Sequence, residues 1–143
     1  MLHDAVDEPE ALSSRQLRDA YDAELRAVID ARGIETVATE AGLPTETVAA
    51  LAGGESPSVS LTEAAAILAV DYEGRDARGI VQEVRDHLLM GMTTGVLDVD
   101  TIASNVDLDL SGQEIQQAIE GRTRMTLDEL AAIQGYVAGR NAR

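Results

Sequence analysis

The 143-residue chain has no cysteine, no tryptophan and no phenylalanine, and none of its basic residues is a lysine. Without cysteine there is no disulfide framework and no thiolate zinc site. Three tyrosines, Tyr21, Tyr72 and Tyr136, are the whole aromatic complement, so any core must be aliphatic. Long hydrophobic runs are missing too. Leu88-Leu89-Met90 is far too short to span a bilayer, and the opening residues lack a basic-then-apolar signal pattern. The expectation is a cytoplasmic protein with no membrane partner. Positive charge is scarce: 11 basic residues face 26 acidic ones, for a net charge of -15. That balance argues against a generic basic nucleic-acid binder.

What is present is a helical, strongly acidic chain. Apolar residues make up 45% of it and recur at helical spacing, so it is not a disordered polyanion. Fifteen excess negative charges repel one another in dilute salt. At about 1 M salt the screening length falls to roughly 3 Å, and most of that repulsion disappears. Arginine without lysine in so acidic a chain resembles the halophilic cytoplasmic proteins of salt-accumulating haloarchaea. The alternative is an acidic protein that meets a basic partner.

No segment alternates like a strand, so the fold class expected is all-α. Residues 1–12 read as a flexible acidic lead. A first helix starts at Ser13, where Ser13 and Gln16 have capping-box spacing, buries Leu17, Tyr21, Leu25, Val28 and Ile29, and stops at Gly33. Short helices follow from Ile34 to Ala41 and from Pro44 or Thr45 to Ala52. A fourth opens on the capping pair Ser60 and Glu63 and runs to Ala69. Residues 71–79 read as a connector whose C-terminal half can already be helical. The fifth helix carries Ile80, Val84 and Leu88 and ends near Gly95; the sixth carries Val99, Ile102, Ala103 and Val106. The seventh opens on Ser111 and Glu114 and ends at Gly121. The eighth opens on Thr126 and Glu129 and runs to about Val137, leaving a frayed tail.

The two halves of this series repeat each other. Ile34-Glu35-Thr36-Val37-Ala38 aligns with Val99-Asp100-Thr101-Ile102-Ala103. Gly54 falls on Gly121, Ser60-Leu61 on Thr126-Leu127, and Ile67 on Ile133. The units are residues 13–72 and 73–143. A unit of that size is marginal alone, so the pair is expected to pack together, or a homodimer to use the same surfaces.

In the first unit Val37-Ala38 is followed by Gly42, Val48 and Leu51. This spacing resembles the helix-turn-helix of lambda-repressor-like domains. Ala38 allows a close helix crossing, Gly42 supplies a left-handed turn residue, and Val48 and Leu51 pack the second helix on the first. The second unit is a diverged version, with Asp107 in place of the turn glycine and a turn two residues longer. As a whole, the chain resembles a haloarchaeal family of unknown function, which implies no activity.

The resemblance implies that the second helix of each unit would enter a DNA major groove. In the first unit that helix offers Thr45, Glu46, Thr47, Ala49 and Ala50, none suited to bidentate base contacts. Ala49, Ala50 and Ala52 suit helix packing instead, within the chain or against a protein partner. The second unit offers Ser111, Gln113, Gln116 and Gln117, with Arg122 and Arg124 placed to clamp phosphates. Residues 110–143 hold four acidic and four basic residues, so the excess negative charge lies wholly upstream.

No nucleophile elbow, phosphate loop or dinucleotide fingerprint is present. His3 and His87 stand alone. Asp98, Asp100, Asp107 and Asp109 lack a calcium-loop pattern. The sequence therefore reads as a non-enzyme without metal or cofactor. Two functions follow: a DNA-binding transcriptional regulator reading through the second unit, or a protein-interaction module that has kept the fold and lost DNA reading.

Overall fold

The computed structural model describes Leu2, residues 12–72 and residues 75–142. Over these residues the chain is all-helical, with eight helices and no strand. They are α1 (Ser14–Arg32), α2 (Ile34–Ala41), α3 (Thr45–Ala52), α4 (Leu61–Ala69), α5 (Ala77–Thr94), α6 (Val99–Asn105), α7 (Gly112–Ile119) and α8 (Leu127–Asn141).

Capping chemistry sets most of the starts. Ser13, Ser60, Ser111 and Thr126 each accept from a backbone N–H three residues on. In return Gln16, Glu63, Glu114 and Glu129 each accept from the backbone N–H of the cap. These reciprocal bonds satisfy donors that a helix N-terminus otherwise leaves orphaned. Asp76 and Asp98 cap α5 and α6 singly.

Gly42 ends α2 at φ 69° and ψ 36°, the left-handed conformation that a side chain would resist. The Leu43 N–H then reaches back to the Ala38 carbonyl at 3.0 Å. The turn into α3 is thereby closed, with Val37, Val48 and Leu51 buried beneath it.

Each half has its two short helices paired, α2 with α3 and α6 with α7. The longer helices cross between halves. α1 lies along α8, and α5 lies along α4. At the centre, Ser60 and Thr126 form an antiparallel backbone bridge. The Leu61 N–H donates to the Met125 carbonyl at 2.7 Å, and the Leu127 N–H to the Val59 carbonyl at 2.9 Å. These are positions that the alignment of the two halves in sequence pairs, Ser60-Leu61 with Thr126-Leu127. The apolar side chains of both halves form one connected core, with Leu17, Tyr21, Leu51, Ile67, Ile80, Ile102, Ile115 and Ile133 all deeply buried.

A polar network fastens α1 to α8. Arg18 and Asp22 are only 1% and 2% exposed. Arg18 Nε bonds Asp22 Oδ1 at 2.9 Å, its Nη2 donates to the Pro57 carbonyl at 2.6 Å, and its Nη1 reaches Asp128 at 3.2 Å. Ser56 donates to the second Asp22 oxygen, and the Tyr21 hydroxyl donates to Gln134 Oε1. Burial pushes the Tyr21 phenol far above the usual tyrosine range, so it stays a donor.

The C-terminal half of the connector is helical from Ala77, as its sequence allowed, because Asp76 supplies a cap. Two expectations need correction. α8 continues past Val137 to Asn141, whose side chain donates to the Gly91 carbonyl at 3.0 Å. Leu2 does not belong to a loose lead, since it is fully buried in the core; the rest of the lead, up to residue 11, lies outside the described residues.

Candidate functional site

α7 is the element on which base reading would rest. Its inward side buries Ile115, Ala118 and Ile119. Residues three and four apart share a helix face, so Gln113, Gln116 and Gln117 fall together on the other side. Ser111, Gln113 and Gln116 are exposed, Gln117 is half-buried, and Arg122 and Arg124 are exposed in the turn that follows. The six candidates are thus carried by one helix, its cap and its exit.

Their polar atoms are largely engaged. The Ser111 hydroxyl accepts from the Glu114 N–H at 3.2 Å as part of the cap. Gln116 Nε2 donates to Glu120 Oε1 at 2.8 Å, and the other Glu120 oxygen holds Arg122 Nε at 3.2 Å. Arg124 Nη2 donates to Glu63 Oε1 at 3.0 Å, across the boundary between the halves. Partial burial works against the charged form of Glu63, but bonds from Ser60 and Arg124 outweigh it and hold the carboxyl below its usual range. Glu63 is therefore ionised and keeps Arg124 paired at neutral pH.

The remaining electrostatics are acidic. Gln117 and Arg124 line a cleft of about 320 Å³ together with Glu114 and Glu129. At the N-terminus of α7, a Cβ on Gly112 would collide with Asp100 Oδ1, so this carboxylate sits tight against the helix start. A negative group there suits the helix dipole but occupies the place where a phosphate would bind.

Other arginines are turned inward. Arg26 Nε donates to the Leu51 carbonyl at 2.9 Å, capping the end of α3. Arg85 does the same for α7 through the Ile119 carbonyl. On the first unit, Ala49 is exposed, while Ala50 and Ala52 are half-buried and Ala52 packs against the core. The small apolar face there is reduced to Ala49 and part of Ala50.

Sequence reasoning missed an apolar surface on α5. Leu89, Met90 and Val96 are 45%, 70% and 89% exposed. The signal was present in Leu88-Leu89-Met90, because three successive helical residues cannot all face one core.

His87 is exposed on α5, and His3 lies outside the described residues. Among the described residues no group of three or more His, Cys, Asp or Glu is placed to hold a metal ion. None of their helices is long and apolar enough to cross a membrane.

These features define an all-helical, multiply capped bundle with an exposed Gln/Arg patch and an apolar stripe. The chain belongs to a family of unknown function (DUF5791), whose family model matches residues 17–140. No curated protein and no solved structure matches it.

Proposed function

We propose that this chain is a non-catalytic protein-interaction module, built from two diverged helix-turn-helix-like units of four helices each. It works in the cytoplasm of a salt-accumulating cell, as the composition suggests. The duplication is supported by the parallels between halves. Ser60 meets Thr126, Gly54 and Gly121 both have positive φ at 89° and 80°, and an arginine of each long helix caps the third helix of its unit.

The observation that carries the choice of function is the pairing of Arg122 with Glu120 and of Arg124 with Glu63. The two cations best placed to clamp DNA phosphates each already lie beside a carboxylate. Approach of a phosphate would strand Glu120 and Glu63 beside a polyanion, which opposes binding. High salt weakens that repulsion, but it weakens phosphate affinity as well.

DNA reading through α7 is the second reading, favoured by the outward exposure of Ser111, Gln113 and Gln116. Selection from randomised duplexes in molar KCl separates the two. The proposal expects no enriched sequence. An enriched site whose affinity drops on Gln116→Ala, with the fold intact, would replace it with a DNA regulator.

A further inference from the structure

The C-terminal half of α5 presents a surface that no other part of the described chain covers. Leu88 is buried, so its successors Leu89 and Met90 turn outward. Exposed Thr93 and Thr94 extend the stripe by one turn, and Val96 continues it beyond the helix end. The stripe borders a cleft of about 440 Å³ between α5 and α8, where Met90 and Gly91 face Val137 and Ala138. Close approach makes that wall: a Cβ on Gly91 would lie 2.7 Å from the Val137 side chain.

Val96 supplies a second, independent observation. Its φ is 53°, the one positive value among the described non-glycine residues. For a β-branched side chain this is a strained conformation. Glycine would hold the same turn without strain. Yet Val96 is 89% exposed, so its side chain gains almost no packing inside the molecule in return. A strained apolar residue with so little internal packing makes sense where an external contact uses it.

The charge pattern selects the occupant. Asp86 stands at one end of the stripe and Asp98 at the other, and no arginine lines the clefts around it. A second copy docked by a two-fold axis would bring the acidic end of one stripe onto the acidic end of the other. An anionic membrane surface would meet a chain of net charge -15. A helix with an apolar side and cations near both ends satisfies the stripe and its two carboxylates together.

We propose that the α5 stripe, Leu89, Met90, Thr93 and Val96 between Asp86 and Asp98, is the docking site for a partner's amphipathic helix with Arg or Lys near both ends. This rests on the reading of the chain as an interaction module.

The test uses the full chain and two labelled synthetic helices of about four turns. They share a leucine stripe and differ in having arginine or glutamate at both ends. Fluorescence anisotropy is read at about 0.15 M and about 2 M KCl. The arginine-ended helix saturates the chain, and the glutamate-ended one binds at least about tenfold more weakly at the lower salt. The gap narrows at the higher salt. Met90→Glu and Leu89→Glu abolish binding with helicity unchanged. Val96→Gly raises Tm while weakening binding several-fold, a split that a purely structural role for Val96 would not produce. Equal binding of the two helices, binding indifferent to Met90→Glu, or no saturable binding overturns the assignment. So does self-association in sedimentation that Met90→Glu abolishes. None of these touches the underlying interaction reading, which fails separately if the DNA selection enriches a site.

Discussion

At the scale of single residues, the most consequential placement is Arg18 with Asp22 inside the core. Two opposite charges that far from water are costly unless every polar atom has a partner. Here the guanidinium is shared among Asp22, Asp128 and the Pro57 carbonyl, and Ser56 takes the other Asp22 oxygen. Arg18→Met should therefore destabilise the chain by roughly 3–5 kcal/mol, by leaving Asp22 buried without its cation. Arg18→Met with Asp22→Leu should recover much of that loss. Urea denaturation followed by circular dichroism checks both, and equal instability of the single and double variants would contradict the argument. The sequence shows Arg18 and Asp22 as an ordinary i, i+4 pair. It does not reveal their burial, because that depends on α8 and the turn at Pro57 arriving from distant parts of the chain. The same applies to Arg124, whose partner Glu63 lies 61 residues away. Ser111, Gln113 and Gln116 were legible as outward residues from helical period alone.

Among the elements, the helix starts were the most readable features. A capping box is written in four consecutive residues, so Ser13, Ser60, Ser111 and Thr126 announce their helices without tertiary help. Ser60→Ala and Thr126→Ala should each cost about 1 kcal/mol through the lost cap. The backbone bridge between these residues survives either change, so the Leu61 and Leu127 amides should remain protected from hydrogen exchange. Loss of that protection would show the bridge to depend on the hydroxyls instead. Helix ends were less legible where they depend on a neighbour. α8 outruns its apolar pattern because Asn141 finds the Gly91 carbonyl on α5. The outward stripe of α5 was written in Leu88-Leu89-Met90, but local periodicity cannot say which of the three faces the core. Contact with α4 and α8 decides it in favour of Leu88.

On the scale of the whole molecule, the halves are joined by long helices that pack on each other across the boundary. α1 is completed by α8, and α4 is completed by α5, around one core. The parallel helix order of the two halves was visible in the sequence, but this crossed packing was not, since two such helix strings are equally compatible with separate units. Each half cut at the connector should therefore be poorly folded alone, and mixing residues 1–72 with residues 75–143 should restore helicity. Two independently cooperative fragments would contradict the crossed core. The charge of -15 belongs at this scale as well. It leaves an acidic surface, with Arg122 and Arg124 in ion pairs and a stripe on α5 whose bordering clefts hold no arginine. On the proposed function, this molecule works through protein contact on α5 and not through base reading on α7. Backbone NMR of the full chain in molar KCl, titrated with the arginine-ended helix and with mixed-sequence duplex DNA, tests it most directly. Shifts across residues 86–98 with the helix, and none at residues 111–124 with DNA, are expected. Saturable DNA-induced shifts at Gln113, Gln116 and Arg122, with residues 86–98 silent, would contradict it.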